Sequence, residues 1–414
     1  MSEAFTYREG SLQCQGVSLF DLVETYGTPL YVYNGDYMVA NFDALDQAFA
    51  SVPHTICFAL KANSTIAIGR QFAERGAGAD VVSGGELYRA IKMGIPSSKI
   101  IFAGVGKSDE EIEYALRSKI LLFNVESPAE LKRIERNAER LGVVAPISVR
   151  VNPDVDPQTH PYISTGMRKA KFGVPGEQVI DLYRCAADSD WLRPIGIQMH
   201  VGSQLVSVQP IIDGAEKVAE IVDELAGLDI ALDYFDIGGG LGIRYRDEQP
   251  QGPADLASGV MPIVKRLDCT LLMEPGRYLV GAGGLLLTKV LYIKHNGFKK
   301  FIVVDAAMND LIRPALYDAY HEIVPVAETA GPLETTDVVG PVCESGDFFA
   351  QERDLPALEE DDLVGLTSAG AYGFAMASNY NSRPRPAEVL VNGGAATLAR
   401  SRETYEDLVR GEVV

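Results

Sequence analysis

Ile56-Cys57-Phe58-Ala59-Leu60-Lys61-Ala62-Asn63 reads as a short apolar strand ending in a lysine, with the polar, loop-like Asn63-Ser64-Thr65 after it. An ammonium at the tip of a buried strand is costly, because desolvation disfavours its charged form. The same cost makes a lysine a good amine nucleophile, able to form a Schiff base with a carbonyl compound. Taken alone, Lys61 could equally extend past the strand end into water. The pattern around it decides.

From His54 onward, apolar runs recur at 55–61, 79–83, 99–103, 120–125, 146–151, 194–200, 234–238 and 270–274, each followed by a turn and an amphipathic stretch. The helical period is clearest in Ile211, Ile212, Ala215, Val218, Ala219, Val222 and Leu225. Short buried strands alternating with helices predict a parallel sheet. Eight such units suit a (β/α)8 TIM barrel, with an open doubly wound sheet as the alternative. After Gly276 the texture changes. Leu285–Lys294 and Lys300–Asp305 flank His295-Asn296-Gly297, a hairpin signal. Further strands are predicted at 322–326, 335–342, 362–367 and 387–392, mostly without helices between them. Residues 1 to about 35 give short alternating segments such as Leu30-Tyr31-Val32-Tyr33, with no helix beside them. The expected architecture is α/β: a barrel over 36–276, and a β-sandwich or barrel-like all-β domain from 1–35 and 277–414.

A chain of 414 residues exceeds the usual reach of one hydrophobic core, which agrees with two domains. The net charge of −20, from 57 acidic and 37 basic residues, leaves no basic footprint for nucleic acid. Cys14, Cys57, Cys185, Cys269 and Cys343 are scattered without a CxxC pair, as reduced thiols are; neither disulfides nor a zinc site are expected. The N-terminus lacks a signal-peptide pattern, and the apolar run from Leu279 to Ile293 is broken by glycines and Lys289. A cytoplasmic protein with no membrane partner is expected.

In a barrel the chemistry belongs at the carboxyl ends of the strands. Here those ends are polar and glycine-rich. They carry Lys61; Asp80 to Glu86; Met199-His200-Val201-Gly202-Ser203-Gln204; Asp236-Ile237-Gly238-Gly239-Gly240-Leu241-Gly242; and Glu274-Pro275-Gly276-Arg277. Three glycines after a strand let backbone N–H groups approach an anion, as phosphate cradles do. The run is not a dinucleotide fingerprint and no Walker lysine follows it. Glu274 could pair with Arg277, or with a protonated pyridine nitrogen. His200 alone is more often a satisfied core histidine than a catalyst. A Schiff-base lysine, a ring neighbour, a phosphate cradle and a carboxylate for a pyridinium together describe a pyridoxal-phosphate site.

At these residues the chain resembles the barrel-type, alanine-racemase-like pyridoxal-phosphate decarboxylases, and specifically the diaminopimelate decarboxylases among them. The resemblance is carried, in order, by Ala59-Leu60-Lys61-Ala62-Asn63, Gly84-Gly85-Glu86-Leu87, His160–Gly166 with Lys171-Phe172-Gly173, His200–Gln204, Gly238–Gly240, Glu274–Arg277, Arg313–Tyr317, Cys343-Glu344-Ser345-Gly346-Asp347 and Ala371–Phe374. It covers nearly the whole chain. It implies pyridoxal 5'-phosphate bound covalently at Lys61, with His200 stacked on the ring. Ser203, Gly238, Gly239, Gly240, Gly276, Arg277 and Tyr372 would contact the cofactor, mainly its phosphate, while Glu274 faces the ring nitrogen. Arg277, Arg313, Tyr317 and Tyr372 would bind substrate. Cys343 would be the proton donor and Glu344 the ligand of the substrate amine, both delivered from the neighbouring subunit of a homodimer. The role of the His160–Gly173 loop stays open.

The activity so implied is decarboxylation of meso-2,6-diaminopimelate to L-lysine and carbon dioxide, the last step of lysine biosynthesis. A sister decarboxylase of another diamino acid, carboxynorspermidine or a basic D-amino acid, shares the cofactor residues. A racemase would need two bases and a catalytic tyrosine where Cys343 and Glu344 stand. A non-enzymatic cofactor-binding regulator would need neither the second domain nor a substrate clamp.

Overall fold

The computed structural model describes residues 3–155 and 171–413, in two compact units. One comprises residues 41–243 and 249–278; the other comprises 1–40, 244–248 and 279–414. Compared with the expected boundaries, the division falls inside the helix Gly35–Ala48, and the short stretch 244–248 clusters with the β-rich unit.

In the first unit eight parallel strands close on themselves: His54–Ala59, Gly78–Val81, Ile100–Phe102, Leu122–Val125, Ala145–Asn152, Leu192–Met199, Tyr234–Asp236 and Thr270–Met273, the last pairing back onto the first. This is the expected TIM barrel, and the open sheet is excluded by the closing pair. Helices follow the strands with legible punctuation. Ser83, Ser108 and Ser127 cap Gly84–Met93, Asp109–Ser118 and Pro128–Leu141 by accepting N–H bonds from Glu86, Glu111 and Glu130. Outward-facing strand residues pack on these helices, as Phe58 does on Phe72 with ring centroids 4.8 Å apart.

Alternation along the strands sorts the barrel interior into layers. Cys57, Ile101, Leu122, Ile195 and Leu272 form an apolar cluster. Two residues past Leu122 and Leu272, toward the carboxyl ends, stand Asn124 and Glu274, and Gln198 stands three past Ile195 on a strand whose register shifts between Pro194 and Gly196, instead of the branched aliphatics that usually fill a barrel. Asp80 pairs in register with Ile101 and Ala59, and Asp236 with Leu272 and Gln198, so both acids join the interior face. A polar layer buried on top of an apolar one is expensive, and it locates the site.

The second unit is built on a sheet of mixed direction. Its order runs Phe348–Pro356, Leu333–Val339, Lys300–Val304, Gly284–His295, Leu30–Asn34, Ala387–Asn392, Ala395–Arg400. The N-terminal strand Leu30–Asn34 sits at its heart, antiparallel to Gly284–His295 and parallel to Ala387–Asn392. Leu30, Val32, Leu285, Leu287, Val389 and Val391 belong to one apolar cluster there. Contrary to expectation, the first 35 residues include a helix, Leu19–Tyr26, capped by Ser18 and burying Leu19 and Leu22. Its pattern is too short to show a helical period. A three-stranded sheet, Thr6–Arg8, Ser11–Cys14 and Val17–Ser18, precedes it.

Candidate active site

Lys61 lies two residues past the end of the first strand, in a turn closed by the Ala62 N–H to the Ala59 carbonyl. The Leu60 N–H donates to the Asp80 carbonyl at 3.1 Å, tying this turn to the second strand. The lysine is not buried in the way the sequence suggested. Its side chain keeps 37% of its exposure, and its Nζ sits 2.6 Å from Oδ2 of the wholly buried Asp80. A carboxylate, rather than an apolar wall, fixes the amine.

Asp80 is one of three buried acids. Asp236 ends the seventh strand and its Oδ1 accepts the Gly238 N–H at 2.8 Å. Glu274 follows the eighth strand, and its Oε1 accepts from the amides of Gln198 at 3.2 Å and Asn124 at 3.4 Å. These amides, rather than Arg277, are its hydrogen-bond partners across the barrel. Burial, with the charges of Asp236 and Asp80 added, pushes Glu274 well above the ordinary carboxylate range, and Lys61 and Arg150 oppose this. Burial also pushes Asp236 up to about 7 against the Gly238 N–H bond. Beside them Glu86, whose Oε2 accepts the Val82 N–H, is raised by burial to about 7.

His200 follows the sixth strand. Its Nδ1 accepts the Gly239 N–H at 3.2 Å, which leaves the ring proton of the neutral imidazole on Nε2. Burial, then the cations Arg150 and Lys61, holds its pKa well below the ordinary value, so the ring is neutral. The adjoining Gly238–Gly240 run has no room for side chains. A Cβ on Gly238, which sits at φ +69°, would lie 2.5 Å from the Met199 carbonyl oxygen, and one on Gly239 would lie 2.2 Å from that of Glu274. Glycine here is a matter of space as well as backbone conformation. Arg277 is buried and its Nη2 donates to Ser203 Oγ at 3.1 Å; Gly276 precedes it with Ala62 close by.

These residues fit the group that the resemblance implies. Three buried acids stand around one lysine, and the buried oxygens Asp80 Oδ1, Asn124 Oδ1 and Gln198 Oε1 have no hydrogen-bond partner among the described residues. A cationic heteroaromatic nitrogen answers the excess of negative charge, and the side-chain-free glycine run leaves space for an anionic tail.

The remaining sequence-derived candidates lie in the β-rich unit. Arg313 is buried at the start of the short helix Arg313–Tyr317, and Tyr317 is half-buried at its end. Cys343 and Glu344 are exposed. The Cys343 N–H donates to Asn381 Oδ1 at 3.4 Å, and Glu344 Oε2 accepts from the Tyr380 hydroxyl at 2.6 Å. Asp347 holds the loop's shape by accepting the N–H groups of Val342 and Met308, both at 2.6 Å. Tyr372 occupies a left-handed turn at φ +57°. Of the loop with an open role, Lys171, Phe172 and Gly173 are described, and His160–Gly166 lies outside the described residues.

Asp80 and Asp236 were quoted among the polar strand ends without a role, and Asn124, Arg150 and Gln198 escaped the sequence-based site assignment, although each was visible as a polar residue inside an apolar strand. Arg150 reaches Oε1 of the buried Glu126 at 2.7 Å, and Oε2 of Glu126 accepts the Gly173 N–H.

Residues 36–281 match the family described as pyridoxal-dependent decarboxylase, pyridoxal binding domain. The chain is 48% identical over 410 residues to the diaminopimelate decarboxylase of Pseudomonas aeruginosa, covering 99% of each, and 46% identical over 404 residues to that of Aquifex aeolicus, covering 97% and 96%. Among solved structures it is similar to diaminopimelate decarboxylase from Helicobacter pylori complexed with L-lysine, at 45% identity and TM-score 0.92 over 94% of this chain and 98% of that one. It is likewise similar to the enzyme from M. jannaschii in co-complex with L-lysine, at 38% identity and TM-score 0.94 over 100% and 98%.

Proposed function

The chain belongs to the pyridoxal-dependent decarboxylases, and from that premise we propose how its residues divide the work. It decarboxylates meso-2,6-diaminopimelate to L-lysine and carbon dioxide, with pyridoxal 5'-phosphate as cofactor. The observation that carries the assignment of roles is the half-exposed Lys61 set against the buried acids Asp80, Asp236 and Glu274 beside the glycine cradle.

When bound, the cofactor supplies an electron sink for the electron pair that departing carbon dioxide leaves on carbon. Lys61 is its covalent anchor, and the Asp80 carboxylate holds that amine in place. Glu274, a carboxyl that burial makes reluctant to lose its proton, would face the ring nitrogen and keep a proton there. The neutral imidazole of His200 would stack on the ring and add no charge to compete with it. The backbone of Gly238–Gly240, Gly276 and Arg277, with Ser203 and Tyr372, would receive the phosphate. Cys343 then gives its thiol proton to the substrate carbon.

Specificity resides at the far end of the substrate. Arg277, Arg313 and Tyr317 take its second carboxylate and Glu344 its second ammonium. A lysine or ornithine offered for decarboxylation carries no second carboxylate, and it would bring no anion to the two buried guanidinium groups. The protein acts as a homodimer in which Cys343 and Glu344, exposed on their loop, serve the neighbouring subunit's site. No helix among the described residues is long and apolar enough to cross a membrane; we place the enzyme in the cytoplasm.

The test is turnover of meso-diaminopimelate measured beside lysine, ornithine, carboxynorspermidine and a basic D-amino acid. Only the first should be consumed efficiently. A preference for any substrate without the distal carboxylate would remove the assignment.

A further inference from the structure

Arg313, assigned above to the substrate's distal carboxylate, is held by a partner of its own. Its Nη1 lies 2.9 Å from Nε2 of His321, whose other ring nitrogen, Nδ1, lies 2.8 Å from the Thr367 carbonyl oxygen. The chemistry of the two neighbours settles the proton's position. A guanidinium can only donate and a carbonyl can only accept. His321 therefore carries its proton on Nδ1, gives it to Thr367, and offers the Nε2 lone pair to Arg313. Only the neutral Nδ1–H tautomer can make both bonds.

The surrounding groups hold this arrangement rigid. His321 is fully buried and Arg313 nearly so. The ring of Tyr245 lies 4.8 Å from the Arg313 guanidinium carbon and meets the His321 ring edge-on at 5.7 Å. Arg353 Nη1 donates to the backbone carbonyl of His321 itself at 2.9 Å, and its guanidinium stacks on Tyr320 at 4.0 Å. An imidazole acceptor is an unusual partner for a buried arginine, for which a carboxylate would be the stronger one. A neutral acceptor orients the guanidinium through one N–H and adds no negative charge of its own to compete with an incoming anion. A carboxylate in the same place would neutralise the guanidinium.

We propose that His321 is a specificity-determining positioning residue: it aims the Arg313 guanidinium at the substrate's distal carboxylate without cancelling its charge. This rests on the assignment of that carboxylate to Arg313. The experiment separates the two ideas with a pair of ligands and a pair of histidine variants. L-lysine, the product, keeps the distal carboxylate; cadaverine has the same carbon chain and two amines but no carboxylate. Affinities of the loaded enzyme for both are measured by titration calorimetry. His321→Asn places its amide near the Nδ1 position, so it keeps the bond to Thr367 but falls short of Arg313. His321→Gln reaches the Nε2 position and restores an acceptor.

His321→Asn should weaken L-lysine by about tenfold, the scale of a misdirected charged hydrogen bond, with cadaverine unchanged. With meso-diaminopimelate it should raise KM by a similar factor and leave kcat nearly as it was, since the distal contact is made equally in ground and transition states. His321→Gln should recover most of the lost L-lysine affinity. Equal weakening of both ligands by His321→Asn, or none of either, would overturn the role of His321, provided Arg313→Ala weakens L-lysine alone. If Arg313→Ala also leaves the preference for L-lysine over cadaverine intact, the assignment of Arg313 fails first, and the proposal falls with it.

Discussion

At the strand ends of the barrel the charged groups sit on or just beyond strands and are withdrawn from water. Asp80, Asp236 and Glu274 are all buried, and only Lys61 among them keeps appreciable exposure. In the β-rich unit, Cys343 and Glu344 stand exposed on a loop, where the Cys343 N–H donates to Asn381 and the Glu344 side chain accepts from Tyr380. The difference separates two tasks. Stabilising charge on a cofactor needs fixed groups in a medium of low polarity, where each charge acts strongly. Delivering a proton and gripping a variable substrate end needs groups that can be reached. The buried cluster should therefore govern whether cofactor is bound and activated, and the exposed loop whether turnover follows.

The largest effect expected from this division is at Lys61. Lys61→Ala should lower turnover by about ten-thousandfold or more, the scale seen when a covalent catalytic group is removed. It should also abolish the visible absorbance of the loaded protein. Borohydride treatment of the wild type should leave the cofactor on the peptide containing Lys61, as mass spectrometry would show. A covalent adduct that survives in the variant would break the assignment.

Cys343 tests the other region. Cys343→Ala should cost about a hundred- to ten-thousandfold in kcat, the range for losing a general acid, while cofactor absorbance and the Lys61 adduct persist. Loss of cofactor in this variant would dissolve the contrast between the two regions. Mixing inactive Lys61→Ala and Cys343→Ala subunits should restore part of the activity, because some hybrid sites hold both intact residues. Absence of recovery after proven subunit exchange would leave each chain serving its own site.

The same contrast explains what could be read from the sequence. The eight barrel strands were legible because each is an apolar run followed by a turn, and three of the helices between them start at a serine cap; those signals are local. Lys61, His200, Gly238–Gly240 and Glu274 were legible because they follow such runs directly. Two strands of the second unit were not. Phe348–Pro356 carries Glu352, Arg353 and Asp354 with a mostly solvent-facing middle, and Ala395–Arg400 is an edge strand rich in alanine. The Gly393-Gly394 pair at left-handed φ marks the hairpin between Asn392 and Ala395, and was the signal available. The pairings Lys61–Asp80 and Arg313–His321 lie beyond any local pattern. The first needs the register of neighbouring strands, and the second needs a tautomer set by the carbonyl of Thr367.

The smallest predicted effect concerns the cost of the buried acids in the cofactor-free protein. Asp236 has an ordinary pKa of 3.8, and about 7 in the folded chain, with burial the main cause. Between those values the folded protein holds a proton that the unfolded chain has released. Stability must then fall as pH rises through this window, and level off above it. The effect is opposite to that of a salt-bridged carboxylate, whose lowered pKa makes stability grow with pH. Asp236→Asn keeps an oxygen acceptor for the Gly238 N–H but carries no charge, so it removes this slope. It also removes the like charge that helps to raise Glu274. Calorimetric melting of the cofactor-free proteins should show the variant gaining on the wild type by about a degree or a few between pH 5 and pH 8. Loading with cofactor should narrow the gap, because a positive ring nitrogen offsets the same charges. A difference in Tm that stays constant across this range would mean that Asp236 titrates as an ordinary surface carboxylate, and the buried cluster would lose its electrostatic distinction from the exposed loop.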